Sequence, residues 1–201
     1  MEFTGRRLYL LFTPDQCRRD PWWSLAQALD AGVHIVQYRA PTPDAQGLRR
    51  CMDLCAEREV PVIVNDYVDL AAAFGTAGAH IGQEDLSVPE ARAILSPSQH
   101  LGVSTHNLLQ AERAVAEGAD HIGLGPCFPT QTKGYDEGLR REVIATVVRA
   151  VAVPVFAIGG ITPENARELE GAGLDRFAVS GAILRDVEPG RVVRRFLDIW
   201  S

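Results

Sequence analysis

Residues 61–82, PVIVNDYVDLAAAFGTAGAHIG, contain one complete strand–helix–strand turn of the chain. The run 61–65 (PVIVN) is short, apolar and β-branched, as a buried strand requires, and it ends on polar Asn65 and Asp66. Residues 67–74 change to a helical period, Gly78 falls where a left-handed helix stop belongs, and 79–82 (AHIG) begin the next strand. The unit repeats in both directions. Strands are expected at 8–13, 34–39, 61–65, 79–82, 101–104, 120–124, 154–158 and 175–180. Amphipathic helical segments lie at 22–31, 45–58, 67–74, 88–96, 107–117, 140–150, 163–171 and 190–199.

Strict alternation of this kind implies parallel strands joined by right-handed crossovers. Eight units in 201 residues predict an α/β fold, a single (β/α)8 or TIM barrel over residues 1–201. A doubly wound open sheet is the competing architecture. The glycine fingerprint of its dinucleotide-binding members is missing after the first strand, where Thr13-Pro14-Asp15-Gln16 stands instead. Local punctuation agrees with the repeat. Pro89 and Pro163 sit near helix starts, Thr162 and Asn107 hold N-cap positions, and Gly32, Gly78, Gly118 and Gly173 hold stop positions. One connection, 125–139 after the sixth strand, is longer and polar, and long βα loops in this fold are where function sits.

The formal net charge of −6 argues against nucleic acid as a partner and makes any anion site depend on local donors. No apolar run is long enough for a bilayer and the opening residues contain no signal-peptide h-region, so a cytoplasmic protein with no membrane association is expected. Cys17, Cys51, Cys55 and Cys127 lack C-x-x-C spacing and are read as reduced, buried or half-buried thiols. Small phosphorylated molecules are the expected partners, and a homo-oligomer is compatible with the composition. Of the 20 basic side chains only Lys133 is a lysine, a compact point charge where the chain otherwise uses the planar arginine fork.

Polar groups gather where the strands end. Gln37 and Arg39 end the second strand, and Asn65 and Asp66 the third. Gln83, Glu84 and Asp85 follow the fourth, Ser104 and His106 the fifth, and 129–134 the sixth. Gly159-Gly160 and Ser180-Gly181 follow the last two. A barrel brings all of these to one mouth, where the fold places catalysis. Glycines at Gly159 and Gly160 admit an anion to backbone N–H groups, and Ser180 adds a hydroxyl, so a phosphate is expected there. Asp66 and Asp85 are hard oxygen donors suited to Mg2+, although either alone fits a helix cap equally well. Arg39, Asn65 and Lys133 would then hold a pyrophosphate bridged to that metal. His106 faces the mouth as a proton-handling or substrate-contacting group. His34, His80, His100 and His121 are read as structural or exposed.

These residues resemble the thiamine phosphate synthase family and its thiazole tautomerase relatives over nearly the whole chain. The resemblance runs through Gln37-x-Arg39, Asn65-Asp66, His80-x-Gly82-Gln83-Glu84-Asp85 and Gly102-x-Ser104-x-His106. It continues through Gly125-Pro126-x-Phe128-Pro129-Thr130-x-Thr132-Lys133 and Ile158-Gly159-Gly160-Ile161. The block ending at Lys133 is the most specific of these; Gly-Gly-Ile is shared by many phosphate-binding barrels.

The resemblance implies a Mg2+-dependent transferase that joins hydroxymethylpyrimidine diphosphate to hydroxyethylthiazole phosphate, giving thiamine phosphate and pyrophosphate. It implies Asp66 and Asp85 as Mg2+ ligands, and Arg39, Asn65 and Lys133 as pyrophosphate contacts. Gln37 and Ser104 would touch the pyrimidine, and Thr130, Thr132, Gly160 and Ser180 the thiazole phosphate. Arg39, Lys133 and His106 form the catalytic set. One position departs from the pattern: the family reads Gln-x-Arg-x-Lys at the second strand, and Pro41 stands here in place of the lysine. The alternatives are a thiazole tautomerase, which shares the His of Ser-x-His, and a non-catalytic barrel that binds phosphorylated ligands.

Overall fold

Eight parallel strands close on themselves in sequence order in the computed structural model, and β1 is hydrogen-bonded to both β2 and β8. Residues 3, 5–129 and 137–201 are described. The strands are β1 (Leu8–Phe12), β2 (Ile35–Tyr38), β3 (Val62–Asn65), β4 (Gly78–Ile81), β5 (His100–Thr105), β6 (His121–Leu124), β7 (Val155–Ile158) and β8 (Phe177–Val179). Closure excludes the open-sheet alternative.

Side chains alternate across each strand, so the barrel separates two hydrophobic clusters. Leu8, Leu10 and Phe12 belong to the large outer cluster beneath the helices, whereas Tyr9 and Leu11 belong to the small inner one with Ile35, Ile63, Phe156 and Ala178. The outer layer comprises α1 (Pro21–Asp30), α2 (Ala45–Ala56), α3 (Val68–Phe74), α4 (Val88–Ile94), α5 (Leu108–Glu117), α6 (Arg141–Ala150), the short α7 (Gly181–Leu184) and α8 (Pro189–Leu197).

Most of the boundaries have a local cause. Asp20 and Asp44 accept from the N–H groups of Trp23 and Gly47 at the starts of α1 and α2. Ser87 and Glu90 form a reciprocal capping box on α4, and Asn107 caps α5 as expected. Arg92 on α4 holds the turn between α5 and β6 by donating to the Gly118 carbonyl and pairing with Asp120. The cysteines are free; Cys51, Cys55 and Cys127 are buried and Cys17 is half-buried.

Three local expectations change. Gly78 is the first residue of β4, and α3 stops instead at Gly75, which adopts φ 62°. Gly78 is tied to its place by close approach: a Cβ there would lie 1.9 Å from the His100 carbonyl oxygen. The crossover from β7 to β8 is a 3-10 segment, Ala166–Ala172, and Thr162 does not cap it. Asn165 explains the difference. Its side chain turns back, accepting the Thr162 N–H at 2.9 Å and donating to the Gly160 carbonyl at 2.9 Å, so the first turn braces the end of β7.

The lower interior is filled rather than hollow. Phe3 packs edge-on to His100 at 5.3 Å and lies 4.9 Å from His121, with Phe156 at 5.9 Å. His121 is fully buried, and burial, then His80, His100 and Arg92, hold its pKa well below the ordinary histidine range. Two glycines make room for these rings. A Cβ on Gly102 would lie 2.3 Å from His121 Nε2 and 2.3 Å from His80 Nδ1, and one on Gly123 would touch His80 at 3.5 Å.

Candidate active site

Above this filled floor lies a cavity of about 330 Å³ at the C-terminal ends of the strands. Arg39, Ser104, His106, Gly159, Gly160, Thr162, Ser180 and Arg185 supply its polar rim, with Leu11, Ile158 and Ala178 below. Among the described residues its lining holds two arginines and no carboxylate. In a chain of net charge −6 this is a local reversal of sign, which a site for anions requires.

Each side is built by its strand. Arg39 follows β2 directly, its N–H bonded to the Phe12 carbonyl at 2.9 Å, so β1 fixes where the guanidinium starts. Ser104 on β5 is held twice: its hydroxyl lies 3.0 Å from His80 Nε2, and its carbonyl accepts from Gln83 Nε2 at 2.6 Å. His106 is set by Gln110, which accepts its N–H at 2.7 Å, and by the Gly125 carbonyl 2.6 Å from Nδ1. A carbonyl only accepts, so Nδ1 carries a proton; in the neutral ring Nε2 is the basic nitrogen. Gly159 and Gly160 adopt φ 92° and 63°, and a Cβ on Gly160 would lie 2.4 Å from the Pro129 carbonyl oxygen. The chain after β6 is laid along this turn by bonds from Cys127 N–H to the Ile158 carbonyl and from Phe128 N–H to the Gly159 carbonyl.

The structure brings Arg39, Ser104, His106, Gly160 and Ser180 to one cavity. Gln37 is buried within the barrel and donates to the Tyr9 hydroxyl at 3.1 Å; burial raises the pKa of that phenol. Asn65 is buried at the end of β3. Asp66 follows it at φ 62°, with its N–H bonded to the His80 carbonyl of β4 at 2.8 Å. Left-handed backbone is tolerated by Asp, and its occurrence at a strand end beside a mouth directs attention to function.

Asp85 is exposed and accepts the Gly82 N–H at 2.7 Å. It lines a separate, smaller cavity with Gln110 and Arg113 of α5. Thr130, Thr132 and Lys133 lie outside the described residues. Pro41, the departure at strand two, is exposed, and its carbonyl accepts from the Tyr67 hydroxyl at 2.9 Å.

Two contributors escaped the sequence reading. His80, read as structural or exposed, is buried, and its bond to the Ser104 hydroxyl adds a part in the site that the reading did not give it. Arg185 reaches the rim from the turn after α7, a helix too short for periodicity to reveal.

Comparison with known proteins gives a consistent result. Residues 8–183 match the family described as thiamine monophosphate synthase. The thiamine-phosphate synthase of Shouchella clausii is 40% identical over 177 residues, which cover 85% of each chain. A thiamine biosynthesis bifunctional protein of Geobacter sulfurreducens is 40% identical over 167 residues; these make up 81% of this chain but 34% of that longer protein. Among solved structures, thiamine phosphate pyrophosphorylase from Pyrococcus furiosus superposes with a TM-score of 0.86 at 28% identity, covering 96% of this chain and 95% of its own.

Proposed function

The chain belongs to the thiamine monophosphate synthase family, and we propose that its mouth joins hydroxymethylpyrimidine diphosphate to hydroxyethylthiazole phosphate. The observation that carries this reading furthest is the lining of the cavity, which among the described residues holds arginines and no carboxylate, with glycine turns from β7 on one side and Arg39 on the other. Two anionic substrates need such a site. In the reaction the bond between the pyrimidine methylene carbon and the diphosphate oxygen breaks, and its electron pair leaves with pyrophosphate. The thiazole nitrogen then donates its lone pair to that carbon, giving thiamine phosphate.

This chain's residues act by position and charge. Arg39 neutralises the departing diphosphate, and Lys133 is its partner in that role. Ser104, its hydroxyl oriented by His80, and Gln37 address the pyrimidine. The backbone at Gly160, with Ser180, Thr130 and Thr132, takes the thiazole phosphate.

Asp66 and Asp85 would hold Mg2+. The donor set suits this ion, which takes one or two carboxylates and fills its shell with water and substrate phosphates. The described residues contain no group of three or more acidic, His or Cys side chains that would form a dedicated cage. When bound, Mg2+ would offset charge on the leaving pyrophosphate. Asp66→Asn and Asp85→Asn should each remove most Mg2+-dependent turnover while the melting temperature changes little, because Asn tolerates the left-handed backbone at position 66 and neither side chain is in the core. Equal turnover of the parent in EDTA and in Mg2+ would overturn the metal's role.

The test of the reaction is formation of thiamine phosphate from the two purified substrates. His106, at the cavity with a defined proton position, is the observation that favours the tautomerase alternative. A tautomerase moves a proton and needs such a base, whereas departure of pyrophosphate does not. His106→Ala should therefore keep turnover within about tenfold of the parent, short of the roughly 10²–10⁴-fold that a general base supplies. A parent that forms no thiamine phosphate but isomerises the thiazole phosphate, an activity that His106→Ala loses completely, would decide for the tautomerase.

A further inference from the structure

Most arginines with described partners are neutralised locally: Arg7, Arg58, Arg92, Arg113, Arg141, Arg176, Arg191 and Arg195 all form ion pairs. Arg185 differs. It lines the mouth cavity, yet its guanidinium forms no ion pair or hydrogen bond among the described residues. Acidic neighbours are present in sequence, but they are occupied. Arg191 of α8 pairs with both Asp186 and Glu188, and Asp186 also accepts the Glu188 N–H at 2.8 Å.

The backbone fixes where Arg185 starts. Its N–H is bonded to the Gly181 carbonyl at 3.0 Å, closing the single turn that follows Ser180. The side chain then runs back over Gly181, where Nε and Cδ would meet an added Cβ at 3.6 and 3.7 Å. The guanidinium is thereby returned to the Ser180-Gly181 side of the cavity. Arg39 enters the same cavity from the end of β2, and β1 separates the two strands. One arginine with no ion pair among the described residues thus serves each flank of β1.

We propose that Arg185 is a binding residue for the phosphate monoester of the thiazole substrate. The inference rests on the proposed synthase reaction and adds to it a specificity determinant. A guanidinium presents two parallel N–H donors to a phosphate, which neither a serine hydroxyl nor a glycine N–H can do alone. It provides the discrimination between phosphorylated and free alcohol forms of the same heterocycle.

The test is Arg185→Ala and Arg185→Lys beside the parent, with the phosphorylated thiazole varied. Arg185→Ala should raise its KM roughly ten- to hundredfold and leave kcat within about twofold, since binding common to ground and transition states is removed. Arg185→Lys should recover part of the loss. With unphosphorylated hydroxyethylthiazole the parent and Arg185→Ala should behave alike. Calorimetric titration with inorganic phosphate supplies a readout that needs no synthesis, and Arg185→Ala should weaken it by a similar factor. Parental phosphate affinity in Arg185→Ala would overturn the proposal. A parent that binds phosphate but makes no thiamine phosphate would remove the reaction while leaving the titration to judge Arg185.

Discussion

Gly102→Ala should destabilise the barrel by about 3 kcal/mol or more, at the upper end of what overpacking a core costs. The added methyl would need space already held by two buried imidazoles, 2.3 Å from His80 and 2.3 Å from His121. Neither ring can yield cheaply. His121 is enclosed by Phe3, Tyr9 and Phe156, and His80 is committed to the Ser104 hydroxyl. For a domain of this size the melting temperature should fall by about 6–12 °C. Gly171→Ala is the control, because a Cβ there would meet only Arg141 at 4.0 Å. Thermal unfolding of the three proteins settles the matter; a Gly102→Ala variant that melts with the parent would refute this packing of the interior. Any surviving folded fraction should also turn over slowly, since displacing His80 releases Ser104.

Lys133→Ala should reduce turnover on the order of 10²–10³-fold, corresponding to about 2–4 kcal/mol for a charge-assisted contact that strengthens as pyrophosphate departs. The expectation rests on sequence. Lys133 is the only lysine in the chain, it closes the Thr130-x-Thr132-Lys133 motif, and Pro41 occupies the position of the family's other lysine. With that partner missing, Lys133 and Arg39 carry the leaving-group charge between them. Residues on either side of the loop are anchored: the Phe128 N–H is bonded to the Gly159 carbonyl at 3.1 Å, and the Leu139 N–H to the Pro126 carbonyl at 2.7 Å. Lys133→Arg should recover only part of the loss, because a planar fork is a poor replacement for a compact point charge. Affinity for the thiazole phosphate should barely change. Near-parental turnover in Lys133→Ala would refute the role of this loop.

Most of the barrel was legible because two periods alternate along the chain, and closure follows once eight units are counted. All eight expected strands form, with boundaries shifted by a residue or two. The failures are local contests. At Thr162, a helix cap lost to Asn165, whose side chain satisfies both the turn and the Gly160 carbonyl. At Gly78, close strand approach rather than helix termination is what requires glycine. Arg39, Ser104, His106, Gly160 and Ser180 come to one cavity because a parallel barrel sends every strand end to one face, whereas Asp85, farther along the loop after β4, lines a separate one. The roles of His80 and Arg185 were not legible. The first lies inside a strand, where an inward histidine looks like any structural one. The second follows a one-turn helix that leaves no periodic trace, and among the described residues Arg191 has taken the nearby acids.

The seam of the barrel also sets a timetable. Leu8 of β1 pairs with Phe177 of β8, and α1 packs on α8, so the first strand meets its second neighbour only when nearly the whole chain exists. Ribosomes add roughly 5–20 residues per second, which leaves one edge of β1 unpaired for about ten seconds or longer. Phe3 waits as well, because its contacts His100, His121 and Phe156 belong to the middle and later strands. During that interval β1 keeps one backbone edge unpaired, flanked by the apolar side chains of Leu8, Leu10 and Phe12, the kind of surface on which nascent chains associate wrongly. During synthesis the hydrogen bonds that close this barrel are therefore among the last that can form.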